Sequence, residues 1–93
     1  MKFLAIEIEK EGLSSSDFQP HLKNESLKVL ELYERGIIRE IYFDQNHCAI
    51  IILECQSISE AKSILSELPL VLKGLISFSI KELTPYTGFS RLK

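Results

Sequence analysis

The 93-residue chain contains no tryptophan, only two cysteines and no run of basic residues. Its 11 lysines and arginines are scattered, and the formal net charge is −2. A nucleic-acid-binding surface needs clustered cations facing the phosphates, so this composition argues against a nucleic-acid partner. No stretch reaches the roughly 18–20 apolar residues that span a bilayer, and the residues after Met1 do not open a signal peptide. We therefore expect a cytoplasmic protein with no membrane segment.

The two cysteines, Cys48 and Cys55, flank one predicted strand. An extended strand advances about 3.3 Å per residue, which places them too far apart for a disulfide. They are interpreted as reduced, buried small hydrophobic residues. Two cysteines and two histidines at scattered spacing do not form a zinc site, so no metal is predicted.

Length and composition predict a single domain over residues 1–93. The chain is 45% hydrophobic and 26% charged, which is typical of globular proteins. A second core would leave each half too small to fold alone. A domain of this size buries a modest core, so association with another copy would add useful burial.

The patterning predicts six main elements. Residues 2–9 alternate as a strand, with Leu4, Ile6 and Ile8 on one face. Residues 16–36 form a predicted helix, which begins with a Ser16–Gln19 capping box and ends at a left-handed Gly36. Two strands, residues 37–43 and 48–55, form a predicted hairpin. A Ser57–Glu60 capping box then begins a second helix, which ends before Pro69. Residues 74–83 form the last strand.

The order β-α-β-β-α-β predicts an α+β domain: a four-stranded antiparallel sheet with two helices on one face. One sheet face is expected to contact the helices, and it comprises Leu4, Ile6, Ile8, Ile41, Phe43, Ile76, Phe78 and Ile80. The other face would then carry Phe3, Ala5, Glu7, Tyr42, Ser77 and Ser79. This second face is too mixed for plain solvated surface and suits a second copy packed sheet to sheet, with a cavity between. The aromatic tail, residues 84–93, is expected to pack on the partner protomer or across the cavity mouth.

Glu25 is the clearest candidate for a functional residue. At 100° per residue it falls within an apolar stripe of the first helix formed by Phe18, Leu22, Val29 and Leu32. A carboxylate on such a face loses hydration, which is costly unless it finds a partner or faces a cavity. Glu25 is therefore either a pocket residue or a rim residue bonded to Arg39 or to a hydroxyl group.

Several short motifs spread along the chain resemble the muconolactone isomerase family, within the dimeric α+β barrel group of ferredoxin-like folds. The matching motifs are Glu25 eleven residues before Gly36, Arg39 after the helix end, Leu68-Pro69-Leu70, and Leu83-Thr84-Pro85. The resemblance implies a homodimer, or a multiple of one, with a small-molecule cavity in each protomer. It also implies proton transfer on a small carbonyl or lactone compound without metal or organic cofactor.

The candidate catalytic residues are Glu25 as base, Arg39 as anion clamp and Tyr42 as hydrogen-bond donor to a ligand oxygen. His21 lies four residues before Glu25 and could orient it or relay its proton. Alternatively, His21 and Glu25 form a plain helix-face pair. Arg39 could instead pair at the surface with Glu34 or Glu40.

The candidate ligand-binding residues, besides His21, lie on the second sheet face. Glu7 could act beside Tyr42 on a bound carbonyl compound, or both could hydrogen-bond across a dimer interface. Ser77 and Ser79 are interpreted as small lining residues, since neither has the context of a catalytic serine.

Two other functions remain open. The first is a non-catalytic binding or assembly module of the same fold, in which the polar groups only satisfy one another. An enzyme needs Glu25 to face a void with water access, whereas a module needs it fully paired. The second, a cofactor-free oxygenase, ranks lower because the second sheet face carries neither tryptophan nor histidine.

Overall fold

A computed structural model describes residues 1–93 and contains four strands in one antiparallel sheet of order β2-β3-β1-β4. The strands are β1 (Lys2–Glu9), β2 (Ile38–Phe43), β3 (Ala49–Glu54) and β4 (Ile76–Leu83). The first crossover contains α1 (Ser15–Phe18), a 3-10 turn (Gln19–His21) and α2 (Leu22–Glu34). The second contains α3 (Ile58–Ser66) and α4 (Pro69–Leu72), and a 3-10 turn (Gly88–Leu92) ends the chain. The βαββαβ order confirms the predicted ferredoxin-like α+β fold.

The helical layer covers the face of β1 that carries Phe3 and Ala5. Both residues are fully buried. Ala5 lies opposite Ile51 of β3 and Ile80 of β4, and residues directly opposite in antiparallel strands share a face. The hydrophobic core forms between this face and the helices, and its fully buried large side chains are Phe3, Leu32, Ile38, Ile51, Leu53 and Leu68.

The predicted faces of β1 are therefore reversed. Leu4, Ile6 and Ile8 lie on the open face, whereas Phe3, Ala5 and Glu7 lie under the helices. The assignments on β2 and β4 are confirmed, with Tyr42, Ser77 and Ser79 on the open face. Alternation alone pointed to the wrong face of β1, because Leu4, Ile6 and Ile8 form the more apolar one. The face that lies in the core combines Phe3 and Ala5 with Glu7. The register settles the orientation, since it aligns Ala5 with the helix-facing Ile80 and Ile6 with the outward Ser79.

The first crossover departs from the single predicted helix. The N-terminal cap is Ser14, whose N–H donates to the Asp17 carboxylate at 2.8 Å, instead of Ser16 with Gln19. A 3-10 turn then separates α1 from α2 around Pro20. Proline lacks an N–H and cannot donate a helical hydrogen bond, which accounts for the break. The residue before it, Gln19, keeps a helical conformation.

Other predicted boundaries are confirmed. Gly36 has φ of +76°, the left-handed conformation that a glycine adopts without steric cost. Ser57 caps α3 by accepting a hydrogen bond from the Glu60 N–H at 3.1 Å.

Both cysteines are free, as predicted, but only Cys55 is buried, and Cys48 is half-buried. No helix combines the length and apolar character needed to cross a bilayer.

The open sheet face is more apolar than predicted. The apolar side chains of β1 and β3 on this face are half-buried or exposed, and they are Leu4, Ile6, Ile8, Ile50 and Ile52. Lys2 and Glu54 lie opposite each other at its end. The C-terminal tail is also exposed: the rings of Tyr86 and Phe89 meet edge to face with centroids 5.0 Å apart, and both are about 70% exposed.

We predict that Phe3→Ala destabilises the fold far more than Ile8→Ala in the same strand. Removing the fully buried Phe3 ring should cost about 3–5 kcal/mol of unfolding free energy. Removing the Ile8 side chain, 52% exposed on the open face, should cost under about 1 kcal/mol. Urea denaturation of dilute protein measures both. A larger loss of unfolding free energy for Ile8→Ala than for Phe3→Ala would contradict this orientation of β1 and support the one expected from the sequence.

Candidate functional site

A large cleft opens between the first crossover and the outer part of the sheet. It has a volume of about 1160 Å³. The cleft exists because α2 leaves the end of the edge strand β2 uncovered: Phe43 is 67% exposed although its side chain lies on the helix face. Its apolar walls include Phe18, Leu22, Val29, Leu30, Ile41 and Phe43, and its ionisable side chains include Glu7, Glu9, Glu25, Arg39 and Glu40.

Glu25 lies in this cleft, half-buried. Its Oε1 accepts a hydrogen bond from the Leu70 N–H at 2.9 Å. Leu70 is in the first turn of α4, directly after Pro69, so the carboxylate satisfies an N–H that has no helical acceptor. The hydrogen-bond partner of Glu25 is thus a backbone N–H of the second crossover. It is neither Arg39 nor a hydroxyl group, the two partners expected from the sequence.

The second carboxylate oxygen of Glu25 has no partner among the side-chain hydrogen bonds of the structure. No buried side-chain nitrogen or oxygen is left unpaired, so this Oε2 atom must reach solvent. Glu25 is therefore not fully paired: one carboxylate oxygen is held by the Leu70 N–H and the other is accessible to water.

The pKa of Glu25 lies above its ordinary value of 4.5. Burial is the main cause, because it disfavours the charged form, and the nearby Glu7 charge adds to the rise. The hydrogen bond from Leu70 opposes the shift without cancelling it. Such a carboxyl is a stronger base than a solvated glutamate once it is ionised.

Glu7 is the second half-buried carboxyl group of the cleft. The reversed pleat of β1 brings it to the helix side, where its Oε1 accepts a hydrogen bond from the Ala49 N–H at 3.0 Å. Burial raises the pKa of Glu7, with smaller contributions from the charges of Glu9 and Asp44, although the Ala49 hydrogen bond opposes the rise. The structure thus brings Glu7 and Glu25 into one cleft, although the sequence analysis placed these two residues on different surfaces.

Arg39 and Tyr42 line the cleft where it passes around the edge strand β2, with the Tyr42 side chain on the open-face side of that edge. Arg39 donates through Nε to the Gly36 carbonyl oxygen at 2.7 Å and forms no ion pair, so the predicted surface pairing with Glu34 or Glu40 is not present. Tyr42 donates its hydroxyl to Glu40 at 2.8 Å, and this hydrogen bond raises the pKa of the phenol.

The other predicted ligand-binding residues lie elsewhere. His21 ends the 3-10 turn, does not line the cleft and forms no hydrogen bond with Glu25. Ser77 and Ser79 are exposed on the open sheet face, opposite Ile8 and Ile6. The structure does not bring these three residues to Glu25.

Sequence reasoning missed a cluster beside Glu7. Possible ligand atoms of Glu7, Glu9 and Cys48 lie within 4.8 Å of one another. Burial and the neighbouring carboxylates raise the pKa of the Cys48 thiol, which disfavours the thiolate that binds metals. The sequence does show two glutamates two residues apart, on one face of β1. It does not show that Cys48 lies beside them, because that follows only from the pairing of β1 with the hairpin.

We predict opposite stability changes for two substitutions at Glu25. Glu25→Ala removes the acceptor of the Leu70 N–H and should lower Tm by about 4–8 °C, for a cost of about 1 kcal/mol. Glu25→Gln keeps an oxygen acceptor and removes a half-buried charge, so Tm at neutral pH should rise by about 2 °C. Calorimetry measures both. Equal destabilisation by Gln and Ala would mean that the ionised carboxylate itself stabilises the fold.

The raised pKa of Glu25 also predicts how stability depends on pH. A carboxyl group with a higher pKa in the folded state binds its proton more tightly there. Its stabilising contribution is full below the ordinary value of 4.5 and is lost as the pH rises through the raised folded value. The Tm advantage of Glu25→Gln over wild type should therefore grow with pH across this window. An advantage that shrinks with pH would contradict the raised pKa.

Comparison with known proteins identifies the fold. The sequence matches no protein-family model and no curated protein. Among solved structures, the chain is similar to 5-chloro-2-hydroxyhydroquinone dehydrochlorinase (TftG) from Burkholderia phenoliruptrix AC1100, solved as a complex with 2,5-dihydroxybenzoquinone. The TM-score is 0.66 at 17% sequence identity, over 95% of this chain and 98% of that one. This similarity confirms the fold class.

Proposed function

We propose that the protein is a muconolactone isomerase-like enzyme that transfers a proton on a small carbonyl or lactone compound, with Glu25 as the base. The observation that carries this proposal is the half-buried Glu25 carboxylate, with one oxygen held by Leu70 and the other open to the cleft. A carboxylate with one oxygen held by a hydrogen bond and the other free is positioned to take a proton from a ligand bound against the apolar walls.

The proposed reaction needs only groups of this chain. Glu25 Oε2 takes a proton from the carbon next to a carbonyl group, and the electron pair of that C–H bond forms an enolate. Arg39 retains its terminal nitrogens for the enolate oxygen, since only Nε is bonded to Gly36. Tyr42 could donate to the same oxygen after leaving Glu40. Where a C=C bond of the ligand is conjugated with the enolate, Glu25 then returns the proton to the far carbon of that dienolate. The C=C bond shifts and the carbonyl group re-forms, which completes an isomerisation.

The comparison supports small-molecule chemistry in general. The structural neighbour is by name a dehydrochlorinase, and loss of hydrogen chloride likewise requires a base that accepts a proton. At 17% identity the substrate of that enzyme does not transfer to this chain.

One observation favours the alternative, a non-catalytic binding module. The hydrogen bond from Leu70 gives Glu25 a structural purpose, because it caps α4 and joins the two crossovers across the cleft. In such a module, the cleft would bind a small molecule without transforming it.

Proton exchange separates the two functions. We expect the protein to exchange hydrogen for deuterium next to the carbonyl group of small cyclic ketones or lactones in D₂O, followed by NMR. Glu25→Gln should slow the exchange at least about 100-fold, the usual contribution of a general base. Glu82→Gln, which removes an exposed carboxylate at the far edge of the sheet, is the matched control. Binding without exchange would favour the module. Full exchange by Glu25→Gln would show that Glu25 is not the base.

We also propose that two copies pack through the open sheet faces as a homodimer. The apolar side chains of β1 and β3 on that face have no partner within the chain, and burying such a surface is favourable. The exposed tail, residues 84–93, would then pack on the partner protomer and place Tyr86 and Phe89 out of water.

Sedimentation tests the dimer. We expect the wild type to sediment as a dimer at micromolar concentration and Ile6→Lys to sediment as a monomer, because the new charge would be buried in the interface. Leu72→Lys changes an exposed apolar residue on α4, outside the open face, and should remain dimeric. A monomeric wild type would overturn both the dimer and the packing of the tail.

A further inference from the structure

The charges around the cleft are strongly unbalanced. Four carboxyl groups line it, those of Glu7, Glu9, Glu25 and Glu40, against the single guanidinium of Arg39. His47 also lines the cleft, and a positive charge there would still leave more carboxyl groups than cations. Even if the two half-buried groups, Glu7 and Glu25, both carried protons, the remaining carboxylates would still outnumber the guanidinium.

Arg39 alone cannot balance these charges. It brings one positive charge, bonded at Nε to the Gly36 carbonyl oxygen and free at its terminal nitrogens. Water screens this charge and those of the exposed Glu9 and Glu40 alike. Asp44, in the hairpin turn beside the cleft, adds a further negative charge that acts on Glu7. Negative charges along low-dielectric walls focus the field into a cleft and raise the local concentration of cations over anions.

The walls opposite the carboxyl groups are apolar. Phe18, Leu22, Val29 and Ile41 provide surface for the body of a ligand. An uncharged compound could bury its carbon skeleton there, and a hydroxyl or amide group on it could donate a hydrogen bond to a carboxylate oxygen. A carboxylate in the same place would lose its hydration and face unpaired like charges.

We propose that the cleft selects its ligand by charge, so that the substrate is an uncharged carbonyl compound and compounds bearing a carboxylate are excluded. This inference rests on the proposed function, because it concerns the same cleft, and it narrows the substrate class. It also revises the role expected for Arg39 from the sequence, from a clamp for a ligand carboxylate to a partner of an uncharged carbonyl oxygen.

Three probes of equal shape and different charge test the selection: benzoate, benzamide and benzamidinium. Each is titrated into the whole protein at about pH 8 and low ionic strength, up to about 10 mM, and amide signals of cleft residues are followed by NMR. We expect benzamide and benzamidinium to bind at least about tenfold more tightly than benzoate. The preference should weaken as salt is added.

A charge-reducing variant isolates the cause. Glu9→Gln with Glu40→Gln removes two cleft carboxylates outside the proposed catalytic group and should raise the affinity for benzoate several-fold, with little change for benzamide. The matched control, Glu60→Gln with Glu82→Gln, removes two carboxylates outside the cleft and should leave all three affinities unchanged. Equal affinity for benzoate and benzamide in the wild type, or no response of cleft signals to any probe, would overturn the proposal.

The outcome is independent of catalysis. Selective binding without deuterium exchange would leave charge selection standing and remove the proton-transfer function. Exchange catalysed on keto acids as readily as on uncharged ketones would support the proton-transfer function and overturn charge selection.

Discussion

The pleat of β1 is the constraint on which the rest of the structure depends. Side chains alternate strictly along a strand, so placing Phe3 and Ala5 in the core fixes every other residue of β1. Glu7 is then carried to the helix side, where it lines the same cleft as Glu25. Ile6 and its neighbours are left on the open face, where they form an apolar surface without a partner. The candidate site and the candidate interface are therefore two consequences of one register.

The cleft combines features that a purely structural role does not require. Glu25 needs only one oxygen to satisfy the Leu70 N–H, yet its other oxygen opens to a void with apolar walls. A second half-buried carboxyl group, Glu7, shares the cleft and raises the pKa of the first. Two acidic groups kept partly out of water are costly to the fold, which is common where a protein prepares a group for chemistry.

The sequence predicted those parts of the structure that local chemistry determines. Gly36, the Ser57 cap and the hairpin were predictable from backbone preference and turn residues, and the element order led to the fold. The faces of β1 were not, because the core face includes Glu7 and is the less apolar of the two. Only the pairing of β1 with β4 reveals which face is buried. Glu25 was recognised from its place on an apolar stripe. Its partner Leu70 is 45 residues away and Glu7 reaches the cleft through sheet register, so neither was visible in local patterning.

The most direct test of the account is the side-chain carboxyl pKa of Glu25, measured by NMR titration of the intact protein with Glu7→Gln as a companion. We predict a value above 4.5 in the wild type, as burial requires, and a smaller rise in the companion because the neighbouring charge is gone. A value at or below 4.5 would show a carboxylate that is well solvated or fully stabilised by its hydrogen bond. That result would contradict the proposal that Glu25 is a base prepared for proton transfer.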